Sequence, residues 1–185
     1  MNSSTFIRKN FRRTALTSIV ALGAFGASNS FAAEATTSAT GTVIVPIAIT
    51  KSADLVFGKF APGTALGTVM VTTDGNRTAS GDVILSSVDS SPTAAQFDVT
   101  GDGAATYSIS WPLTSELTNT GGTSETMALE KISSFTADGA TTGDISTGTL
   151  TDGTQSFYLG GILDVAGAQA AGTYTGDVSV TVEYN

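Results

Sequence analysis

The C-terminal end of this chain alternates strictly between apolar and polar side chains. From Tyr174 to Tyr184 the even-numbered positions read Tyr, Gly, Val, Val, Val and Tyr, and the odd-numbered ones are all polar. A period of two places one set of side chains on the buried face of a β-strand and the other in solvent. The same period recurs at 107–111 and 157–165, in place of the 3.6-residue period of an amphipathic helix. The chain is therefore predicted to be all-β.

Turn signals separate these alternating runs. Asp-Gly pairs begin at Asp74, Asp102, Asp138 and Asp152, and such pairs are typical of hairpin turns. Short strands about ten residues apart indicate an immunoglobulin-like antiparallel β-sandwich. Residues 139–153 are predicted to form an exposed loop. Strands are predicted near 43–50, 53–60, 66–73, 78–86, 95–100, 104–111, 125–133, 154–165 and 173–184.

The N-terminus has the features of an export signal. A basic region containing Arg8 and Arg13 precedes an apolar stretch at 15–27, and the small residues Ser30 and Ala32 follow. This order predicts a secretory signal peptide over residues 1–32, cleaved after Ala32. The apolar stretch is too short to be a membrane anchor. The alternative interpretation is an N-terminal amphipathic or buried helix.

Composition excludes several classes of function. The sequence contains neither cysteine nor histidine, so histidine-dependent triads, cysteine nucleophiles and the usual zinc sites are excluded. Removing the signal leaves four cations against sixteen acids, a net charge of about −12. Such a surface repels nucleic acid and anionic lipid, and no membrane insertion is expected. Asp138, Asp144 and Asp152 lack the close spacing of a calcium loop, so neither a metal nor another cofactor is predicted.

The segment that follows the signal alternates for longer than one strand requires. Odd-numbered positions from Ala33 to Ile49 are small or apolar, apart from Thr37, whereas an ordinary strand has five or six residues. Pro46 cannot donate to a central ladder, so it divides a separate segment, residues 33–45, from a domain at 46–185. Periodicity alone favours the simpler alternative, a disordered tail at 33–40 followed by an ordinary first strand at 42–50.

The C-terminal run, residues 170–185, resembles the ending of chaperone–usher pilus subunits. Those subunits have an aromatic residue next to last, here Tyr184, and a glycine fourteenth from the end, here Gly172. The resemblance implies that a periplasmic chaperone adds a strand along the C-terminal strand, with an outer-membrane usher as a further partner. The matching apolar positions are Val178, Val180, Val182 and Tyr184.

The N-terminal part, residues 35–62, is similar to the spore-coat-U-like branch of these pilins. There an alternating donor segment precedes a Leu-x-Phe-Gly motif, here beginning at Leu55. Most of the chain also resembles a secreted bacterial family described as a domain of unknown function, which is expected to be pilin-like. That likeness includes the run at Tyr107, the Gly160-Gly161 pair and the Ala-Gly-Thr-Tyr ending. Unlike many such pilins, this chain has no cysteine for a disulfide.

These resemblances imply a structural subunit of a bacterial surface fibre. Each sandwich would lack one edge strand, and the next subunit would supply it by donor-strand exchange. The protein would pass through the periplasm and end at the cell surface or in an extracellular fimbrium. The predicted donor residues are Thr37, Ala39, Gly41, Val43 and Val45.

A fibre subunit has two alternatives of different functional class. One is a self-contained secreted or surface β-sandwich, a binding or coat protein with a complete sheet and exposed aromatic contacts. Tyr107 and Trp111 share a face of their predicted strand, although a Trp before Pro112 is more typical of a core. The other is an enzyme, and this is not predicted, because the acids lie mostly at turns and form no constellation with the scattered cations.

Overall fold

The computed structural model describes residues 32–111 and 115–185. These residues contain antiparallel strands and no helix, which confirms the prediction of an all-β, immunoglobulin-like sandwich. Residues 42–185 form one compact unit that contains every strand. The predicted signal peptide lies outside the described residues except for Ala32. The strands are β1 (Ala48–Ala53), β2 (Phe60–Val71), β3 (Arg77–Leu85), β4 (Ala95–Thr100), β5 (Thr106–Ser110), β6 (Ser115–Asn119), β7 (Thr126–Ser134), β8 (Thr147–Thr149), β9 (Thr154–Val165), β10 (Tyr174–Thr175) and β11 (Thr181–Tyr184).

The larger sheet is organised around β9. Its order is β1-β4-β9-β7-β6-β10, and a smaller sheet has the order β11-β5-β8. One edge of β9 pairs with β7. The other edge pairs first with β4, up to Leu159, and then with β2, from Gly161 onward. β3 completes a hairpin with β2. The long alternating run at 154–165 therefore pairs with two different strands along one of its edges.

Gly160 lies at the point where β9 changes partners. It is buried, and a Cβ placed there would overlap the carbonyl oxygen of Val71 and lie 2.9 Å from the carbonyl carbon of Thr72. A glycine inside a strand often marks such a close approach of another backbone. The absence of a side chain at Gly160 allows the end of β2 and the start of β4 to lie side by side along β9.

Two apolar clusters form the core. The first is centred on Tyr107, Phe97 and Phe157, and the two phenylalanine rings stack at 5.2 Å between centroids. The Tyr107 hydroxyl donates to Gln155 Oε1 at 2.7 Å, and burial raises the pKa of Tyr107 to about 12. The buried members of the second cluster are Phe57, Val69, Val71, Met127, Leu129, Leu163 and Val165.

Several predicted strand bounds were wrong. The first strand begins at Ala48 rather than 43, and residues 54–59 contain only an isolated bridge between Val56 and Thr93. The run at 173–184 is divided into β10 and β11, with no strand at 176–180. Two strands were missed, β6 and β8, the latter inside the predicted loop at 139–153. Both are short and mostly polar, so their side chains carry little strand signal. They form strands because neighbouring strands pair with them.

Replacing Gly160 with alanine is expected to destabilise the domain. The added methyl group has no room against the β2 backbone, and overpacking of this kind costs about 1–3 kcal/mol. Chemical denaturation of the chain beginning at Ala33 measures the difference in free energy of unfolding. Gly41→Ala is the matched control, because no atom lies within 4 Å of a Cβ at Gly41. Equal stability of the two variants would contradict the close approach at Gly160.

Candidate functional site

An open apolar groove of about 710 Å³ is the main cavity feature of the described residues. Two stretches of chain line it, which we call its walls: the first wall is residues 54–62, and the second is residues 169–176 with Val178. Buried apolar side chains of the second core cluster reach the groove between the walls. They are Met127, Leu129 and Leu163, and half-buried Leu117 accompanies them.

The groove lies beside β10, an edge strand of the larger sheet. Among the described strands, β10 pairs only with β6, β11 only with β5, and β1 only with β4. Half-buried Val178 packs against both core clusters there. The core is therefore covered less completely at this edge than a closed sandwich would cover it.

The backbone of the first wall is paired on its far side. Val56 exchanges both backbone hydrogen bonds with Thr93, at 2.9 and 3.0 Å. Because alternate residues of an extended chain direct their backbone groups to opposite sides, Leu55 and Phe57 face the other way. The backbone N–H and C=O of Leu55 have no hydrogen-bond partner among the described residues. These groups are free to pair with an added strand.

Arg77 holds the first wall in place. Its Nη1 donates to the carbonyl oxygens of Phe57 at 2.7 Å and Lys59 at 3.1 Å, and to Ser90 Oγ at 2.9 Å. Its Nη2 donates to the carbonyl oxygen of Ser86 at 2.7 Å. Gly58 makes this possible, since its φ of +71° turns the chain and its missing side chain leaves room for the guanidinium. One charged side chain thus connects the wall to β3 and the loop after it.

A polar network holds the second wall. Gln169 is only 8% exposed, and its Nε2 donates to Glu125 Oε2 and to the Tyr174 hydroxyl oxygen, both at 3.0 Å. The Tyr174 hydroxyl donates to the carbonyl oxygen of Ala170 at 2.8 Å, and the Ala170 N–H donates to Glu125 Oε2 at 2.8 Å. Both walls are therefore held by polar side chains and not by the apolar side chains that lie between them.

The predicted C-terminal residues share one face. Val178, Val180, Val182 and Tyr184 are all half-buried and pack against the first core cluster. Gly172 and Val178 line the groove, whereas the other three lie beyond it along the chain. Gly172 lies against Asn119, whose side-chain nitrogen would be 2.6 Å from a Cβ. Backbone clearance is thus one physical reason for glycine at this position.

The predicted donor residues lie outside the core. Every residue from 32 to 46 is exposed, and residues 32–47 form no strand. Val43 is 98% exposed and Val45 55%. Thr37, Ala39 and Gly41 are likewise exposed. An apolar, alternating stretch without burial is unusual unless it is covered by a partner. Domain packing begins at half-buried Ile47, directly after Pro46.

Other kinds of site are poorly represented. Within residues 32–111 and 115–185 no group of three or more His, Cys, Asp or Glu side chains converges to hold a metal. The same residues include no helix long and apolar enough to cross a membrane. Asp98 accepts hydrogen bonds from Ser156, Ser52 and Gln96, and these bonds lower its pKa. Its carboxylate is already saturated with donors.

The aromatic candidates for a binding surface are engaged in packing. Tyr107 is fully buried. Trp111 is half-buried, packs edge-on against Phe157 with centroids 5.8 Å apart, and donates from Nε1 to the carbonyl oxygen of Ile145 at 3.1 Å. Lys131 Nζ lies 6.0 Å from the Trp111 ring centroid. Neither ring offers an open aromatic contact surface.

Residues 47–184 match DUF4402, a family described as a domain of unknown function. The chain belongs to this family. This confirms the expected membership of a domain-of-unknown-function family. A comparison with curated proteins finds no relative. The DUF4402 match includes both groove walls and the C-terminal strands, and it begins after Pro46, so the exposed segment precedes it.

Replacing Arg77 with alanine is expected to loosen the first wall of the groove. Hydrogen bonds from a charged donor contribute about 1.5–3 kcal/mol, and the four bonds that Arg77 donates would be lost. We expect the free energy of unfolding to fall by about 2 kcal/mol in urea denaturation. Lys51→Ala is the control, because Lys51 makes only a surface ion pair with Asp54, and such pairs contribute little. If both variants unfold at the same urea concentration, the assignment of Arg77 as the residue that holds the first wall is wrong.

Proposed function

We propose that this DUF4402 protein is a structural subunit of a bacterial surface fibre that assembles by donor-strand exchange. In this proposal residues 37–45 of one subunit occupy the groove of the next. The observation that carries the proposal is the presence, in one chain, of an open apolar groove at a sheet edge and an exposed segment of alternating pattern.

The two surfaces are chemically complementary. The groove offers apolar side chains at its base and unpaired backbone groups at Leu55. The segment offers Val43, whose side chain is almost fully exposed, and small residues at Ala39 and Gly41. Burying one valine side chain is worth about 1.5–3 kcal/mol, and each ladder hydrogen bond adds about 0.5–1.5 kcal/mol. Strand addition to a sheet edge combines both contributions.

The positions of segment and groove favour propagation. The segment joins the domain beside Tyr184, whose hydroxyl donates to the carbonyl oxygen of Val45 at 2.8 Å. The groove lies further back along the C-terminal strand, at Gly172–Gly176 and Val178. Gly176 and Tyr184 are eight positions apart in the chain, which spans at most about 27 Å when fully extended. Contacts between different surfaces of identical subunits are head-to-tail, and such contacts extend into filaments when they do not close.

The same edge would need protection before assembly. Exposed strand edges beside apolar surface are prone to unwanted pairing. We therefore propose, from the resemblance to chaperone–usher subunits, that a periplasmic chaperone covers the edge in transit and that an outer-membrane usher receives the subunit. The residues presented to the chaperone would be Val178, Val180, Val182 and Tyr184. The final location would be the cell surface or an extracellular fimbrium.

An aspartate at position 43 is expected to prevent assembly. Val43→Asp would bring a charge into an apolar groove, which is strongly unfavourable without a partner. The chain beginning at Ala33 should form large assemblies in size-exclusion chromatography with light scattering, whereas Val43→Asp and a deletion of residues 33–45 should not. Val88→Asp is the matched control, because Val88 is also an exposed valine and lies outside both the segment and the groove.

Two outcomes would contradict this proposal. One is normal assembly of the deletion variant, which would show that the segment is dispensable. The other is a stable monomer in which residues 37–45 occupy their own groove, detected as concentration-independent mass with the segment protected from protease. A synthetic peptide of residues 33–46 gives a direct test, since it should raise the melting temperature of the deletion variant. A peptide carrying Val43→Asp should not.

A further inference from the structure

We infer that the Tyr184 hydroxyl is a positioning group that fastens the N-terminal segment to the domain at Val45. The hydroxyl donates to the carbonyl oxygen of Val45 at 2.8 Å and accepts from the backbone N–H of Asp102 at 2.6 Å. A phenolic oxygen has one donor and can accept as well, and both capacities are used here. The contact joins three distant parts of the chain at one oxygen atom.

The Asp102 side of this contact is rigid. Gly101 donates from its backbone N–H to the carbonyl oxygen of Gly153 at 2.9 Å, which fixes the turn after β4. A Cβ placed at Gly101 would overlap the Tyr184 hydroxyl oxygen and lie 2.9 Å from Leu150 Cδ1. The tyrosine ring therefore approaches the turn only because this residue is glycine. Tyr184 itself is held in β11 opposite Tyr107.

The Val45 side has no other anchor of this kind. Residues 32–47 form no strand, and Pro46 has no N–H to place in a ladder. Side-chain packing begins only at Ile47. The hydroxyl bond to Val45 is thus the first hydrogen bond that holds the segment to the domain.

A consequence for assembly follows, and it rests on the proposed function. If Val45 stays fastened to its own domain, the part of the segment that can enter a neighbour ends at Ile44. Val45 then belongs to the joint between consecutive subunits rather than to the groove. A joint fixed by a hydrogen bond on one side bends less than a free linker, so Tyr184 would control the stiffness of the fibre.

Tyr184→Phe tests this inference, because it removes the hydroxyl and keeps the ring. Tyr158→Phe is the matched control, since the Tyr158 hydroxyl has no hydrogen bond to any described residue and Tyr158 is also half-buried in a strand. Hydrogen exchange by mass spectrometry reports the Asp102 N–H directly. We expect its exchange to become roughly fivefold faster in Tyr184→Phe, the factor expected from one hydrogen bond, and to be unchanged in Tyr158→Phe.

The segment is followed separately by electron paramagnetic resonance. The sequence contains no cysteine, so Ile44→Cys provides a single site for a nitroxide label, and Thr37→Cys provides a reference further from the anchor. We expect the label at position 44 to be restricted in the parent chain and to become as mobile as the label at position 37 in Tyr184→Phe. Tyr158→Phe should leave both labels unchanged.

The possible results separate the two proposals. No change at Asp102 in Tyr184→Phe would overturn the inference, and so would faster exchange at Asp102 without greater mobility at position 44. Both measurements are made on the subunit itself, so they hold even if the parent chain forms no fibres, which would contradict only the proposed function. If fibres form, those of Tyr184→Phe should have a shorter persistence length in electron micrographs than those of Tyr158→Phe.

Discussion

Uncovered apolar side chains are costly in water, and at one edge of this sandwich they lie beside backbone groups that have no hydrogen-bond partner among the described residues. The edge lies between residues 54–62 and the C-terminal strands. Backbone polar groups need partners, and apolar surface favours burial. A strand added along this edge would satisfy both requirements at once. The rest of the molecule can be understood as a frame that keeps this edge open.

That frame is built from polar contacts that hold each wall of the groove. Arg77 connects the first wall to β3, and Glu125 with Gln169 and Tyr174 fixes the second. β9 keeps the two sides in register, since β7 pairs along one edge and β4 and β2 share the other. Because the walls are held by polar contacts rather than by each other, they need not collapse together. A preformed groove reduces the ordering cost of binding a strand.

A polar contact also connects the N-terminal segment to the C-terminal residue Tyr184. The segment carries apolar side chains outside the core, and a single hydroxyl holds its end at Val45. The DUF4402 match begins at Ile47, where packing against the core also begins. The start of the family match, the start of packing against the core and the hydrogen bond at Val45 therefore lie within a few residues of one another. Residues 33–46 are therefore exposed and lie outside the strands of the sandwich.

The sequence by itself determined the fold class, because a two-residue period leaves one buried face and only a sheet can satisfy it. It also predicted a shared face for Val178, Val180, Val182 and Tyr184, and a joint at Pro46. It did not reveal β6 and β8, which are polar and exist through their neighbours. Nor did it reveal the division of the last run into β10 and β11. Only the tertiary structure showed that Arg77 contacts the first wall and that Tyr184 contacts Val45, which is 139 positions away in sequence. Such contacts depend on how distant parts of the chain pack together and not on a local sequence pattern.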